Sequence, residues 1–207
     1  NSFGKTEMWY VLQADAAAEL IVGFKEDSNA HKYLENLKNK TLLSILDNVE
    51  VQVGDVFFLE TGTVHAIGAG LVIAEIQQTS DITYRLYDFD RVDAAGNQRE
   101  LHVDLALDAI NYNKIDTHKK YNKVLNQSNS MVDCPYFTTN FLPLDGKVAV
   151  TKSGNSFTVY MCVDGDFEIE YEGVKFKYIK GDTVLIPAEL KTFDLSGKGS
   201  LLEIYIS

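Results

Sequence analysis

Cysteine is scarce in this chain: there are two in 207 residues, Cys134 and Cys162. A pair so spaced makes neither a disulfide framework nor the close spacing of a zinc-thiolate site. Both read as reduced thiols in a cytoplasmic protein, with Cys162 in an apolar strand pattern as part of a core. A basic excess is also missing. The formal charge is −11, which excludes the basic footprint that nucleic acid requires. It leaves room for a small anionic ligand, which needs only one or two local cations. No apolar run approaches the roughly 20 residues that span a bilayer, so a membrane is not an expected partner. A secretory signal and an initiating Met are both absent, and Asn1-Ser2-Phe3-Gly4-Lys5 runs at once into a strand pattern. The expectation is a chain that has lost its natural beginning, so missing targeting information carries little weight. The length allows one large β domain or two smaller ones.

What is present is mostly short strands. Lys5–Leu12 alternates, with Lys5, Glu7 and Trp9 on one face and Thr6, Met8 and Tyr10 on the other. Further strands are expected at 19–24, 48–53, 56–59, 71–78 and 82–86. Residues 27–46 carry an apolar stripe of helical period with Ser28 as N-cap, and 101–110 reads as a short amphipathic helix. Residues 117–133 are polar and read as a connection. From Tyr136 onward short strands dominate, at 137–142, 147–151, 156–164, 166–171, 174–179, 183–186 and 201–206. Many short strands with Gly and Asp turns indicate a barrel or sandwich. A weak internal repeat pairs Gly54-Asp55-Val56-Phe57-Phe58-Leu59 with Gly181-Asp182-Thr183-Val184-Leu185-Ile186. The first copy continues to His65. The second continues to Leu190, Lys191 and Thr192, without a histidine.

The densest chemistry lies between Gly54 and Arg85. Glu75, Gln77, Asp81 and Arg85 share odd parity, and Val72, Ala74 and Ile76 fill the even positions. Charged side chains seldom enter a sheet interior without a partner or a task, so this face lines a polar cavity or meets solvent. Histidine and carboxylate on neighbouring barrel strands suit zinc. On the residues alone His65 stays open between core histidine and metal ligand, and the Lys5–Glu7 pair stays open between salt bridge and site. His31, His102 and His118 add no ligand spacing.

Three segments carry a resemblance: Gly4-Lys5-Thr6-Glu7-Met8-Trp9-Tyr10, Gly62-Thr63-Val64-His65-Ala66 and Glu75-Ile76-Gln77-Gln78-Thr79-Ser80-Asp81-Ile82-Thr83-Tyr84-Arg85. Together they resemble the zinc-dependent mannose-6-phosphate isomerases in their shorter bacterial form, in order and spacing over nearly the whole chain. The resemblance implies a mainly β fold of two cupin-type barrels (double-stranded β-helix, or jelly roll). Residues 1–113 would be the remainder of the metal-site barrel, incomplete at its N-terminus, with a helical segment at 27–46. Residues 114–135 would be a linker, and 136–207 a second cupin barrel without a metal site.

The same resemblance implies interconversion of mannose 6-phosphate and fructose 6-phosphate with one Zn2+ per full-length chain. Glu7 and His65 would be metal ligands, Lys5 would stand beside the sugar, and Arg85 would be the active-site arginine. Glu75 and Asp81 fall where the family places acidic groups near that arginine. Asp81, Lys5 and Arg85 are the candidate substrate contacts, and Arg85, Lys5 and Glu75 the candidate catalytic groups. Glu75 is either a base for proton transfer through an enediol or the structural partner of Arg85. The family's Gln-Val-His-Pro segment is absent from this sequence. Two of four ligands should hold zinc weakly or not at all, so these residues alone are expected to be inactive or nearly so. Lost strands would uncover sheet edges and invite self-association. A non-catalytic sugar-binding or regulatory cupin is the alternative.

Overall fold

The computed structural model describes residues 4–89, 91–152 and 154–206, and the chain divides into two compact units, Asn1–His118 and Lys119–Ser207. Both are built chiefly of antiparallel strands. Among the described residues no helix is long and apolar enough to cross a membrane.

The first unit contains β1 (Glu7–Ala14), β2 (Glu19–Phe24), α1 (Ala30–Lys38), α2 (Leu42–Ile45), β3 (Leu46–Glu50), β4 (Val56–Leu59), β5 (His65–Ile67), β6 (Leu71–Gln77) and α3 (Val103–Ala106). Its strands form two three-stranded sheets, ordered β4-β1-β6 and β3-β2-β5. Period-two alternation turns one face of each toward a shared core. Trp9, Val11, Phe57 and Leu59 from the first sheet meet Leu20 and Val22 from the second, with Val51 beside them. A second cluster, Phe24, Tyr33, Leu42 and Leu46, anchors the helices and takes Leu86, Val103, Leu107 and Ile110 against it. The outer edge of β4 is partly covered, because the Phe58 N–H donates to the Thr117 carbonyl at 2.8 Å.

The second unit contains β7 (Asn129–Asp133), β8 (Thr138–Thr151), β9 (Thr158–Tyr171), β10 (Val174–Ile179), β11 (Thr183–Ile186) and β12 (Thr192–Tyr205). Their order is β10-β9-β12-β8-β7, with β11 also paired to β9. Thus β7 lies inside the stretch that the sequence reads as a linker. The shorter strands expected at 137–151, 156–171 and 201–206 run together into longer ones. Glycines explain this: Gly197 lies opposite Gly146 on β8 and Gly199 opposite Gly165 on β9. Gly146 and Gly165 have φ of +97° and +71°, so the strands bend there without leaving the ladder.

Three other local expectations change. The first helix starts at Asn29, whose side chain accepts from the Lys32 N–H at 2.9 Å, rather than at Ser28. It also ends early, with Lys40 at φ +56°, and Leu46 is already strand. Residues 82–86 form no strand. The Gln78 N–H makes the last rung, to the Thr6 carbonyl, and among the described residues no strand runs beside the chain beyond it.

The Gly-Asp repeat is real in three dimensions. The Gly54 N–H donates to the Val11 carbonyl at 2.9 Å and the Val11 N–H to the Asp55 carbonyl at 3.0 Å. The Gly181 N–H donates to the Cys162 carbonyl at 2.9 Å and the Cys162 N–H to the Asp182 carbonyl at 2.9 Å. Each Asp carboxylate also accepts a backbone N–H three residues upstream, at Gln52 and at Ile179. So β1 and β4 correspond to β9 and β11. The place that Glu7 holds opposite Leu59 is held by Thr158 opposite Ile186.

Cys162 is fully buried, and burial pushes its thiol up to about 11 from an ordinary 9.0. The stabilisation is complete below the unfolded value near 9 and is lost as pH rises toward 11. Thiol titration of the folded chain at pH 8 should therefore modify Cys134 and spare Cys162 until denaturant is added. Rapid modification of both thiols in the native state would contradict this.

Candidate active site

Glu7 opens β1 and has no solvent exposure. Its Oε2 accepts from Trp9 Nε1 at 3.0 Å and from Lys5 Nζ at 3.3 Å. The expected face sharing of Lys5, Glu7 and Trp9 is thus what makes this cluster. Across the core, His65 opens β5 in the other sheet, and its Nε2 stands 3.0 Å from Glu7 Oε1. The Trp9 ring packs edge-on against the imidazole at 5.1 Å.

The histidine is aimed by the turn before it. Gly62 has φ +94°, and a Cβ there would lie 2.5 Å from the Ala109 carbonyl oxygen, so only glycine fits. His65 Nδ1 lies 2.7 Å from the Thr63 carbonyl and must donate to it. Nε2 then bears a proton only in the imidazolium. In the neutral ring it offers a lone pair toward Glu7 Oε1, a buried oxygen that has no hydrogen bond. Such a contact is satisfied by a shared proton or by a cation that takes both lone pairs.

Lys5 extends the cluster to the first sheet's edge. Its Nζ donates to Glu75 Oε1 at 2.5 Å as well as to Glu7. Burial alone would lower its pKa, but the Glu75 hydrogen bond and the two carboxylate charges outweigh it and raise the value. Glu75 is therefore the partner of Lys5. The expectation that it pairs with Arg85 is corrected in this respect, because Arg85 Nη1 donates instead to the Glu100 carbonyl at 3.1 Å. Asp81 is exposed in the coil after β6 and does not line the cavity.

A cavity of about 530 Å³ opens on this cluster, and Lys5, Thr63, His65 and Arg85 line it. Arg91 and Arg99 line it too, and the sequence reading missed both. Arg99 makes a two-point pair with Asp88, donating from Nε to Oδ2 at 2.8 Å and from a terminal nitrogen to Oδ1. Arg91 lies over the Phe89 ring at 5.1 Å. Among the described residues the cavity wall thus carries four cations, Lys5, Arg85, Arg91 and Arg99, and the Asp88 carboxylate that pairs with Arg99, in a chain of net charge −11. Arg91 and Arg99 come from coil that bears no periodic signal, and this is why the sequence did not single them out.

Glu7 supplies a pH test. Burial would raise its pKa, but the imidazolium form of His65, whose Nε2–H donates to Oε1, and the His65 and Lys5 charges outweigh it and hold the carboxyl at about 2, against an ordinary 4.5. A depressed value contributes stability above about 4.5 that is lost as pH falls toward 2. In the metal-free chain, Glu7→Gln should lower the urea midpoint at pH 7. The gap to the wild type should narrow steadily between pH 4.5 and 2. A gap independent of pH over that range would rule out the carboxylate's ionisation as its source.

Comparison with known proteins fits this geometry. Residues 127–206 match the model of the mannose-6-phosphate isomerase cupin domain. The chain is 32% identical over 200 residues to mannose-6-phosphate isomerase ManA of Bacillus subtilis, covering 95% of this chain and 63% of the relative. It is 32% identical over 203 residues to a mannose-6-phosphate isomerase of Streptococcus mutans, covering 95% of this chain and 62% of the relative. The chain therefore spans less than two thirds of the length of these curated relatives. Among solved structures, the mannose 6-phosphate isomerase of B. subtilis superposes with a TM-score of 0.89 at 27% identity, over 98% of this chain and 65% of that one. A phosphomannose isomerase of Salmonella typhimurium shares the fold at a TM-score of 0.76 and 14% identity, over 98% of this chain and 66% of that one. Residues 127–206 thus match the mannose-6-phosphate isomerase cupin domain, and along nearly its whole length the chain is similar to mannose-6-phosphate isomerases.

Proposed function

We propose that this chain is part of an aldose–ketose isomerase that interconverts mannose 6-phosphate and fructose 6-phosphate. The observation that carries the reading is the meeting of Glu7 Oε1 and His65 Nε2 at 3.0 Å beside a cavity lined by Lys5 and Arg85. The relatives named above support the choice of substrate. A phosphorylated sugar is a small anion, and Arg85 and Arg91 on the cavity wall suit its charge, while Arg99 is already paired with Asp88.

Glu7 and His65 would supply two of the ligands of a zinc ion. Glu7 contributes a buried oxygen with no hydrogen bond, and the Thr63 carbonyl fixes the His65 tautomer that turns Nε2 toward it. Such an ion, when bound, would polarise sugar oxygens as a Lewis acid. Two candidate ligands are fewer than the three or four protein ligands usual for zinc. Among the described residues no third His, Cys, Asp or Glu joins them. The 207 residues alone should accordingly hold zinc weakly and turn over little or no substrate.

The remaining steps fall to side chains. The raised pKa of Lys5 keeps it an ammonium at neutral pH. It serves as a donor to a substrate oxygen rather than as the base that takes a carbon-bound proton. Arg85, always cationic, stabilises the oxygen that gains charge as the proton moves between C1 and C2 through an enediol. Glu75 holds Lys5 in place from outside the cavity. Asp81 stands apart from the lining residues, so a substrate contact from it would require the coil after β6 to move.

The test uses the full-length protein. A coupled assay should detect isomerase turnover, metal analysis should find about one zinc per chain, and a chelator should abolish the activity reversibly. Glu7→Gln and His65→Ala should each lower metal affinity by more than roughly a hundredfold, beyond what loss of a ligand's supporting partner costs. Turnover that survives complete metal removal would overturn the zinc assignment. A purified protein that binds the sugar phosphate without isomerising it would support the non-catalytic reading.

A further inference from the structure

Arg85 must be held without a ladder. It lies in coil after β6, so the usual means of aiming a strand residue are unavailable to it. The chain leaves this point, turns at Asp93–Asn97, where the Asp93 N–H donates to the Asn97 carbonyl at 2.9 Å, and returns antiparallel. Three contacts tie the outgoing and returning arms at Arg85. The His102 N–H donates to the Arg85 carbonyl at 2.8 Å, the Arg85 N–H donates to His102 Nδ1 at 3.0 Å, and the Arg85 guanidinium donates to the Glu100 carbonyl at 3.1 Å. The Arg99–Asp88 pair forms the next rung. Beyond His102 the chain enters α3, and Val103, Leu107 and Ile110 pack on the cluster of Phe24, Tyr33, Leu42 and Leu46.

We infer that His102 is a positioning residue for Arg85. Its neutral imidazole, with the proton on Nε2, accepts the Arg85 backbone N–H and couples the cavity wall to the packed α3 segment. An acceptor at that point is needed because a half-buried N–H without a partner costs free energy and lets the coil shift. A shift of about 1 Å in a substrate-contacting group can cost about a hundredfold in rate. No other histidine makes such a bond among the contacts described, although on the sequence alone His102 adds no ligand spacing.

The kinetic arm of the test rests on the isomerase reading; the exchange arm does not. Amide hydrogen exchange on the 207-residue chain should show Arg85 protected in the wild type. Its exchange should accelerate by roughly tenfold or more in His102→Ala and in His102→Phe, which keeps a ring beside Tyr84 but has no acceptor. His102→Asn, whose Oδ1 stands where Nδ1 stood, should restore protection. In the full-length enzyme, His102→Ala should lower kcat/KM by roughly ten- to a hundredfold, and His102→Asn should recover most of it. In an Arg85→Ala background the same substitution should change kcat/KM by less than about twofold. Arg85 exchange that is indifferent to His102→Phe would overturn the clamp. Equal kinetic losses with and without Arg85 would overturn positioning, even if exchange behaves as expected. A wild-type full-length protein with no turnover would defeat the isomerase reading and leave the exchange result to decide the clamp by itself.

Discussion

A carboxylate with no access to water governs the first unit. Removing Glu7 from solvent is costly unless its charge is answered nearby, and each answer comes from a different direction. Trp9 answers from two residues along β1, Lys5 from just before it, and His65 from the opposite sheet. The two sheets must therefore close at one separation and one register. A one-residue slip of β1 would carry Glu7 to the outer face and place Met8 against the imidazole. The core cluster of Trp9, Val11, Leu20, Val22, Phe57 and Leu59 provides the apolar burial that enforces that register. The polar site is bought with this apolar wall, since the same strand faces supply both.

The second unit shows what the same scaffold does without that requirement. Its Gly181-Asp182 turn reproduces the backbone bonds of Gly54-Asp55, and β9 stands where β1 stands. Thr158 occupies the place of Glu7, and Tyr160, in register with Val184 as Trp9 is with Phe57, donates its hydroxyl to Glu203 Oε1 at 2.9 Å. Burial and the adjacent carboxylate push the Tyr160 pKa upward, which keeps the hydroxyl a donor. Asn140 donates to the other oxygen of the same carboxylate, Glu203 Oε2, at 2.9 Å, so this carboxylate is answered by neighbouring strands of its own sheet. In the first unit, Glu7 Oε1 is buried without a hydrogen bond and faces a histidine from the opposite sheet.

Several of these features were legible in the sequence because they follow short, regular rules. Alternation placed Lys5, Glu7 and Trp9 on one face, and His65 stood out after its Gly-bearing turn. The two Gly-Asp turns revealed the repeat through identical local chemistry. Other features were not legible, because their causes are distant in sequence. Parity put Glu75 and Arg85 on one face only if β6 continued, and the ladder ends when β1 runs out of partners. Arg85 is held by a histidine that follows a turn with no strand period, and Arg91 and Arg99 arrive by the same excursion. In the second unit, glycine reads as punctuation, whereas Gly146, Gly165, Gly197 and Gly199 let strands bend and continue.

The bridge from Lys5 to Glu75 joins residues 70 positions apart, and the Glu7–His65 contact crosses between sheets. Loop-closure entropy makes such contacts slow to form, and chains rich in them fold slowly. None of the chemistry is prepared in a local hairpin that could exist early. The cluster comes into being only when both sheets have shut, so a nascent or partly unfolded chain does not carry it even in part.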